Sequence, residues 1–423
     1  MTPAVVTLIV LGIVALLFVT EAVPLAITAM GGAIALGILG IIPINTVFSG
    51  LSNSTVVLFA GMFVIGASMF HTGLAQTLGE TVVKFAGKNE NGLMFAVMFV
   101  AAALSSVTSN TGTTAALMPV ILGICAAARI PASRQLMPLA FSAGLGGIIT
   151  LVGTPPNIIA AGALKAAGLK PFGFFEFAWI GIPLTIAGII YMIFVGKHLL
   201  PKAELSAEQE IEQEIEATTK NTSKMWISGL ILIAVVVIMA LDIKAMPLEV
   251  AAITGAIIAV LTGCLKEKQA YQSIDWVTIF LFAGMMPIAT AMEKSGAGKL
   301  IADQVVGILG GSPSPLFVTG VLFALSAGLT QFMSNTAATA LLAPIGISIA
   351  KGIGASPHAV LMAIAVAASC AFATPVGTPP NTLVLGPGGY KFMDYVKAGT
   401  GLVVVCLIVS LIVIPMVWPF FPK

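Results

Sequence analysis

The amino-acid sequence predicts an all-α polytopic membrane protein that consists of two inverted repeats. Of its 423 residues, 58% are hydrophobic and 9% are charged, whereas about a quarter of the residues in ordinary soluble domains are charged. Apolar runs long enough to cross a bilayer recur along the whole chain. A set of short motifs also occurs twice at a nearly constant separation. The composition and the runs indicate many membrane spans, and the repeated motifs indicate a duplication.

The apolar runs lie in both halves of the chain and contain no charged residues. The clearest are Ala4–Val19, Val57–Phe70, Ile180–Val195, Ile227–Leu241 and Leu402–Val417. The net charge of +2 gives no reason to expect a nucleic-acid partner. The four cysteines lie apart in apolar segments without a CxxC pair, so we interpret them as packing residues and not as a disulfide or metal framework.

Three motifs define the duplication. FAGM occurs at 59–62 and 282–285, SNT at 109–111 and 334–336, and GTPPN at 153–157 and 377–381. The separations are 223, 225 and 224 residues, and so small a drift is typical of a duplicated unit. The two repeats therefore cover residues 1–200 and 225–423. Residues 201–224 contain six Glu and three Lys and are predicted to form an acidic cytoplasmic linker.

Each repeat is expected to contain about five spans, one re-entrant hairpin and one broken helix. The arms Leu93–Val107 and Ala115–Ala128 are too short to cross a ~30 Å hydrocarbon core comfortably, so they predict a hairpin with SNT at its tip. The helix that follows is broken at GTPPN. An odd number of crossings inverts the second repeat relative to the first. If the linker is cytoplasmic, most Lys and Arg residues are too, as the positive-inside rule requires, and both termini lie outside.

The paired interruptions at SNT and GTPPN form the candidate site. Transporter folds with inverted repeats bind their substrates near the membrane midplane, where interrupted helices of both repeats meet. Gly and Pro-Pro free backbone carbonyls, and Ser, Thr and Asn add neutral oxygens, which suit a hard cation such as sodium. Amide groups at the starts of the broken helices carry partial positive charge and suit a carboxylate. One such corner can hold both ions.

Carboxylates are missing from the middle of the predicted spans. Every Asp and Glu lies in a loop, in the linker or near the end of a segment, and Glu21 and Glu249 come nearest to being exceptions. Proton-driven carriers usually keep an ionisable group inside the membrane, so the sequence argues against proton coupling through such a group. The chain also has no HExxH motif and no paired intramembrane carboxylates, which argues against an integral membrane enzyme.

With SNT and GTPPN both duplicated, and with TEAVPL at 20–25, the chain resembles the divalent anion/sodium symporter family. That family takes up succinate, malate, fumarate, citrate and related anions. The resemblance extends over essentially the whole chain. It implies a sodium-coupled symporter of di- or tricarboxylates in the cell (inner) membrane. It also implies a homodimer and an elevator mechanism, in which a transport domain with both hairpins slides against a fixed scaffold domain.

The resemblance also assigns residues to the ions and the substrate. The first sodium site would consist of Ser105, Ser109, Asn110 and Gly153, and the spacing of the two serines corresponds to one helical turn. The second sodium site would consist of Thr330, Ser334, Asn335 and Gly377. The substrate carboxylates would contact Asn110, Thr111, Asn335, Thr336, Thr378 and Pro379.

Two other transport functions stay open. Some members of the family exchange one dicarboxylate for another without sodium, and no single residue here excludes that activity. A cation/proton antiporter or an arsenite carrier of the wider superfamily would share the architecture. The missing intramembrane carboxylates argue against the antiporter, and the duplicated SNT argues for the anion carrier. Neutral side chains and backbone amides accept dicarboxylates, tricarboxylates and sulfate alike, so the motifs leave the anion open.

Overall fold

The structure is a computed structural model that describes residues 2–84, 89–201, 222–241, 243, 245–308 and 313–421. Every regular element among these residues is helical, as predicted. Six of the helices are long and apolar enough to cross a membrane. The acidic linker, apart from its two ends, and the C-terminal Lys423 lie outside the described residues.

The helices of the first half follow one another with short connections. They are α1 (Pro3–Thr20), α2 (Leu25–Ile38), α3 (Ser54–His71), α4 (Leu74–Lys84), α5 (Glu90–Ser105), α6 (Asn110–Ala128), α7 (Leu136–Gly147), α8 (Pro155–Ala166) and α9 (Ala178–Leu199). Short 3-10 turns lie at Ile44–Thr46, Ser49–Ser52 and Ala132–Arg134, and α9 contains a π turn at Met192–Gly196.

The helices of the second half repeat this order. They are α10 (Thr222–Ala240), α11 (Leu248–Leu261), α12 (Glu267–Ser273), α13 (Trp276–Ser295), α14 (Ala297–Ile308), α15 (Pro315–Leu329), α16 (Asn335–Gly352), α17 (Pro357–Ala368), α18 (Pro379–Leu385) and α19 (Phe392–Val417). The short helix α12 takes the place of the two 3-10 turns that precede α3.

Helices begin at SNT and GTPPN in both halves. Helices α5 and α6 meet at the first SNT, and α15 and α16 meet at the second. Helix α7 ends before the first GTPPN and α8 begins inside it, as α17 and α18 do at the second. The five predicted apolar runs correspond to α1, α3, α9, α10 and α19, and only the run Ile227–Leu241 extends beyond its helix, by one residue. That the hairpins are re-entrant and that the second repeat is inverted stay predictions.

Matched residues start the corresponding helices of the two halves. Pro24 precedes α2 and Pro247 precedes α11. The side chain of Asn53 accepts a hydrogen bond from an amide group in the first turn of α3, and that of Asp275 does the same for α13. The local sequence therefore sets equivalent helix starts in both halves.

The two halves pack against each other reciprocally. Helix α2 of the first half packs along α13 of the second, and α11 of the second packs along α3 of the first. The rings of Phe59 and Phe282, which begin the two FAGM motifs, meet edge to face with centroids 6.1 Å apart. The same exchange occurs around the breaks, because α8 contacts α16 and α17 while α18 contacts α6 and α7. Corresponding helices of the two halves thus exchange equivalent contacts.

The glycines of FAGM allow a close approach between the halves. A Cβ atom on Gly61 would lie 2.6 Å from the carbonyl carbon of Ala252, and one on Gly284 would lie 2.6 Å from that of Ala29. Real Cβ atoms do not come so near to backbone atoms. Small residues of this kind let transmembrane helices pack backbone to backbone, where the apolar lipid supplies no hydrophobic driving force.

Gly61→Ala and Gly284→Ala are each expected to destabilise the protein by about 1–3 kcal/mol, because the added methyl group forces two helix backbones apart. Thermal unfolding of the purified protein in detergent would measure the effect. Gly12→Ala is the matched control, because nothing lies within 4 Å of a Cβ atom at that helical position. Unchanged midpoints for both FAGM variants would contradict the reciprocal packing.

The orientation in the membrane predicts three labelling results. Single cysteines at Thr2, Thr219 and Lys423, in a background without the four native cysteines, are expected to react with an impermeant reagent from outside, inside and outside, respectively. The odd number of crossings per repeat places the linker and the C-terminus on opposite faces. Labelling of positions 219 and 423 from the same face would rule out the inverted arrangement.

Candidate functional site

Four helices begin at the wall of one cavity of about 340 Å³. Helices α6 and α16 start there at the two SNT motifs, and α8 and α18 start there at the two GTPPN motifs. Residues from α3 and from the start of α13 also line the cavity. Segments that lie far apart in the chain therefore surround one space.

Serine hydroxyl groups cap the two helices that begin at SNT. Ser109 Oγ accepts the N–H of Gly112 at 3.1 Å, and Ser334 Oγ accepts the N–H of Ala337 at 3.1 Å. Ser105 is the last residue of α5, and a turn separates it from Ser109. The two serines therefore lie on either side of the hairpin turn. Ser109 lies where a serine hydroxyl best bonds an unpaired amide, at the start of a new helix.

A first oxygen cluster consists of Ser105, Asn110, Ala143 and Gly153. One carboxamide atom of Asn110 lies 2.7 Å from Ser105 Oγ, 3.1 Å from the Ala143 carbonyl oxygen and 3.3 Å from the Gly153 carbonyl oxygen. If this atom is the nitrogen, it donates to all three oxygens. If it is the oxygen, Ser105 donates to it and four neutral oxygens converge. Oxygen ligands of this kind suit a hard cation.

A second oxygen cluster repeats this geometry with Thr330, Asn335, Ala368 and Gly377. One carboxamide atom of Asn335 lies 2.7 Å from Thr330 Oγ1, 3.1 Å from the Ala368 carbonyl oxygen and 3.3 Å from the Gly377 carbonyl oxygen. The hydroxyl of Thr330 also donates to the Ala368 carbonyl at 2.7 Å. The two clusters differ mainly in the exchange of Ser105 for Thr330.

Glycine is needed at the position where each break approaches the hairpin. A Cβ atom on Gly153 would lie 2.9 Å from the carbonyl oxygen of Ser106, and one on Gly377 would lie 2.8 Å from that of Thr330. Both glycines are buried. A larger residue would push the carbonyl of the break away from its cluster.

Backbone N–H groups face the cavity at the SNT helices. The first amides of a helix have no acceptor within the helix, and here they belong to Asn110 and Thr111 in α6 and to Asn335 and Thr336 in α16. Each of these long helices also carries about half a positive charge at this end. Helices α8 and α18 begin with two prolines, which have no N–H, so the expected amide donors are supplied by the SNT helices.

Asp275 is the only residue with an ionisable side chain among the described residues that line the cavity. Its two carboxylate oxygens accept the N–H of Thr278 at 3.1 Å and the hydroxyl of Thr278 at 2.5 Å. The sequence placed this carboxylate only at the end of a segment, whereas the structure places that end at the cavity wall. The described lining therefore contains no basic side chain that could neutralise a bound anion.

The structure brings the predicted site residues together. The cavity wall includes Ser109, Asn110, Thr111, Gly153, Ser334, Asn335, Thr336, Gly377, Thr378 and Pro379. Ser105 and Thr330 lie behind this wall, where both are buried and bonded to the asparagines. The contacts of these residues with ions and substrate stay predictions.

Sequence reasoning missed three residues of this region. Ala143 and Ala368 contribute only their carbonyl oxygens, so no side chain could reveal them. Thr154 lines the cavity opposite its counterpart Thr378. The repeat of GTPPN could have identified Thr154, because it occupies the same place in the motif.

Comparison with known proteins adds independent findings. A family model described as citrate transporter, CitMHS, matches residues 15–359 and 339–422. An uncharacterized transporter of Haemophilus influenzae is 31% identical over 96% of this chain and 90% of its own length. A Staphylococcus saprophyticus protein named sodium-dependent dicarboxylate transporter SdcS is 24% identical over 94% of this chain and 84% of its own length.

The fold also matches a solved structure. The crystal structure of the Alcanivorax borkumensis YdaH transporter aligns with a TM-score of 0.67 over 100% of both chains, at 17% identity. The predicted resemblance and the all-α membrane fold are confirmed by these comparisons, and the matched proteins are membrane transporters and not enzymes. The chain therefore belongs to the citrate transporter family, CitMHS.

Proposed function

We propose that this protein is a sodium-coupled symporter of a small dicarboxylate or tricarboxylate. The observation that carries the proposal is the meeting of two matched oxygen clusters and two helix N-termini at one cavity. The clusters would bind sodium, and the amides and hydroxyls of SNT would bind the carboxylate groups of the anion. The relative named sodium-dependent dicarboxylate transporter SdcS supports this assignment.

Charge explains why the anion would need sodium. Moving a dianion into a cell held at about −100 mV costs about 4.6 kcal/mol before any concentration gradient is counted. The described lining of the cavity has no basic side chain to compensate. Two sodium ions would cancel the charge of the dianion, and a third would let the membrane potential drive uptake. Because Asn110 and Asn335 take part in both the oxygen clusters and the SNT helices, each ion would favour the binding of the other.

Coupling of anion transport to a proton is less favoured at this site. The one ionisable side chain in the described lining, Asp275, caps α13 and is bonded to Thr278 through both oxygens. Capping of the helix is a sufficient reason for a carboxylate at this position, so no role in proton coupling is needed to explain it. Its negative charge would also repel an anion and attract sodium toward the cavity.

Access to the cavity supports an alternating movement. The second half of α3 and the start of α13 line it, and both lie on the side that the positive-inside rule assigns to the cytoplasm. The cavity would thus face the cytoplasm in this conformation. Sliding of the hairpins and broken helices against α3 and α13 would expose it to the other side, as the proposed elevator requires. The proposal includes a homodimer in the inner membrane with both termini outside.

Replacement of external sodium by choline is expected to abolish net uptake of labelled succinate into proteoliposomes, because the dianion would then enter without a compensating charge. Wild-type vesicles with sodium on both sides and no gradient are the control. Uptake that survives sodium removal but requires a dicarboxylate inside the vesicles would identify an exchanger and would refute the sodium assignments.

Asn110→Ala and Asn335→Ala are each expected to lower succinate uptake about 10- to 150-fold, because each removes a group that would contact both ions, worth about 1.5–3 kcal/mol. Asn91→Ala is the control, since Asn91 lies in the first turn of α5 and accepts a hydrogen bond from Lys197 outside the cavity. Near-normal uptake by either site variant, with normal expression and melting, would disprove the site.

A further inference from the structure

The asparagines that end the two GTPPN motifs have no role in the proposed site, yet both are fully buried. Asn157 and Asn381 each have a relative exposure of 0%. They occupy the same position in the two repeats, four residues after Gly153 and Gly377. Buried amides in an apolar core are costly unless they satisfy other polar groups.

In the first half, Asn157 closes the break between α7 and α8. Its Nδ2 donates to the carbonyl oxygen of Thr150 at 2.8 Å and to that of Gly147 at 3.2 Å. The hydroxyl of Thr150 in turn donates to the carbonyl oxygen of Ser106 at 2.5 Å, in the turn of the hairpin. Gly153 lies inside the loop that these bonds close. Asn157 and Thr150 together therefore link the break to the hairpin, which supplies Ser105 and Asn110 to the first oxygen cluster.

The second half repeats the same links. Asn381 Nδ2 donates to the carbonyl oxygens of Ala371 at 2.8 Å and Thr374 at 2.9 Å. The hydroxyl of Thr374 donates to the carbonyl oxygen of Gln331 at 2.6 Å. The loop closed in this way contains Gly377. The same hydrogen bonds occur in both repeats, which indicates that the arrangement is not peculiar to one loop.

The side-chain oxygens of the two asparagines indicate that these positions require an asparagine for its N–H donors and not for its oxygen. Among the described residues, neither Asn157 Oδ1 nor Asn381 Oδ1 has a hydrogen-bond partner, although both are buried. An unpaired buried acceptor is unfavourable. Each asparagine therefore carries the cost of an unpaired buried oxygen, while its NH₂ group donates hydrogen bonds to two or more carbonyls of the break.

We propose that Asn157 and Asn381 are positioning residues that hold the carbonyls of Gly153 and Gly377 in the two cation clusters. This inference rests on the proposed function. The asparagines do not contact the ion; they act by closing the loops that present the two carbonyls. Loss of the NH₂ donors lets each loop relax, and the affinity for sodium falls while the substrate groups of SNT stay in place.

The two halves differ in a way that predicts unequal effects. Gln331 reinforces the second break, because its Nε2 donates to the carbonyl of Cys370 at 3.0 Å and its Oε1 accepts the N–H of Ala373 at 2.9 Å. The corresponding residue of the first half is Ser106, whose hydroxyl donates to Ala103 within its own helix. Fewer side-chain hydrogen bonds hold the first break to its hairpin, so the position of this break depends more on its asparagine.

The test compares Asn157→Leu and Asn381→Leu, which keep the approximate size of the side chain and remove the donors. Sodium-dependent thermal stabilisation of the purified protein and sodium activation of succinate uptake are measured. Loss of a group that orients a metal ligand typically costs about 10- to 100-fold in affinity. We expect the half-saturating sodium concentration to rise at least about tenfold for Asn157→Leu and less for Asn381→Leu. Half-saturation by succinate at saturating sodium should stay within about twofold of the wild type.

The control is Ser142→Ala, since this buried hydroxyl on α7 donates only within its own helix and its loss should leave the sodium response unchanged. If Asn157→Leu does not fold, Thr150→Val replaces it, with the same expected direction. An unchanged sodium response in a folded variant, or a parallel loss of sodium response, succinate affinity and melting temperature, overturns the inference. A wild-type protein that shows no sodium response refutes the proposed function instead.

Discussion

The structure depends on one constraint: backbone groups at membrane depth have no water to bond and must find partners within the protein. Each break in α7–α8 and α17–α18 frees several carbonyls. A buried asparagine bonds some of them in each half, because Asn157 and Asn381 each donate to at least two of these carbonyls. The hydroxyls of Thr150 and Thr374 then tie the breaks to the neighbouring hairpins. The carbonyls of Gly153 and Gly377 remain, and they face the oxygen clusters. The breaks therefore contribute to the candidate site the carbonyls that are not hydrogen-bonded within the breaks.

Reciprocal packing of the two halves brings the two hydrogen-bonded breaks together at a single site. Each repeat supplies one SNT helix start and one break, and neither encloses a cavity alone. Because α2 packs on α13 and α11 packs on α3, the two halves are held together, and the two sets meet at one cavity. The close contacts at Gly61 and Gly284 set the distance between the halves. Packing of small residues therefore decides whether the cavity exists, although these glycines lie outside the oxygen clusters.

The lining of the cavity is neutral apart from one carboxylate among the described residues, and this bears on the ions that it could bind. Two helix N-termini and their amides attract an anion, and neutral oxygens attract a cation, but neither set carries a full opposite charge. In the proposed function, binding of both ions together would let each compensate the charge of the other. A site built around arginine or lysine would hold the anion without a cation. The neutral lining would thus link the binding of the two proposed ions.

The sequence by itself determined the apolar helices, the repeated motifs and most of the residues proposed for the site, because apolar runs and the side chains of SNT and GTPPN are visible in the chain. Only the tertiary structure decided the rest. The carbonyls of Ala143 and Ala368 join the clusters through backbone position, and no residue type signals that. Asp275 reaches the cavity because α13 begins at its wall. Such contacts depend on how helices distant in the chain pack, and local patterns specify each helix but not its neighbours.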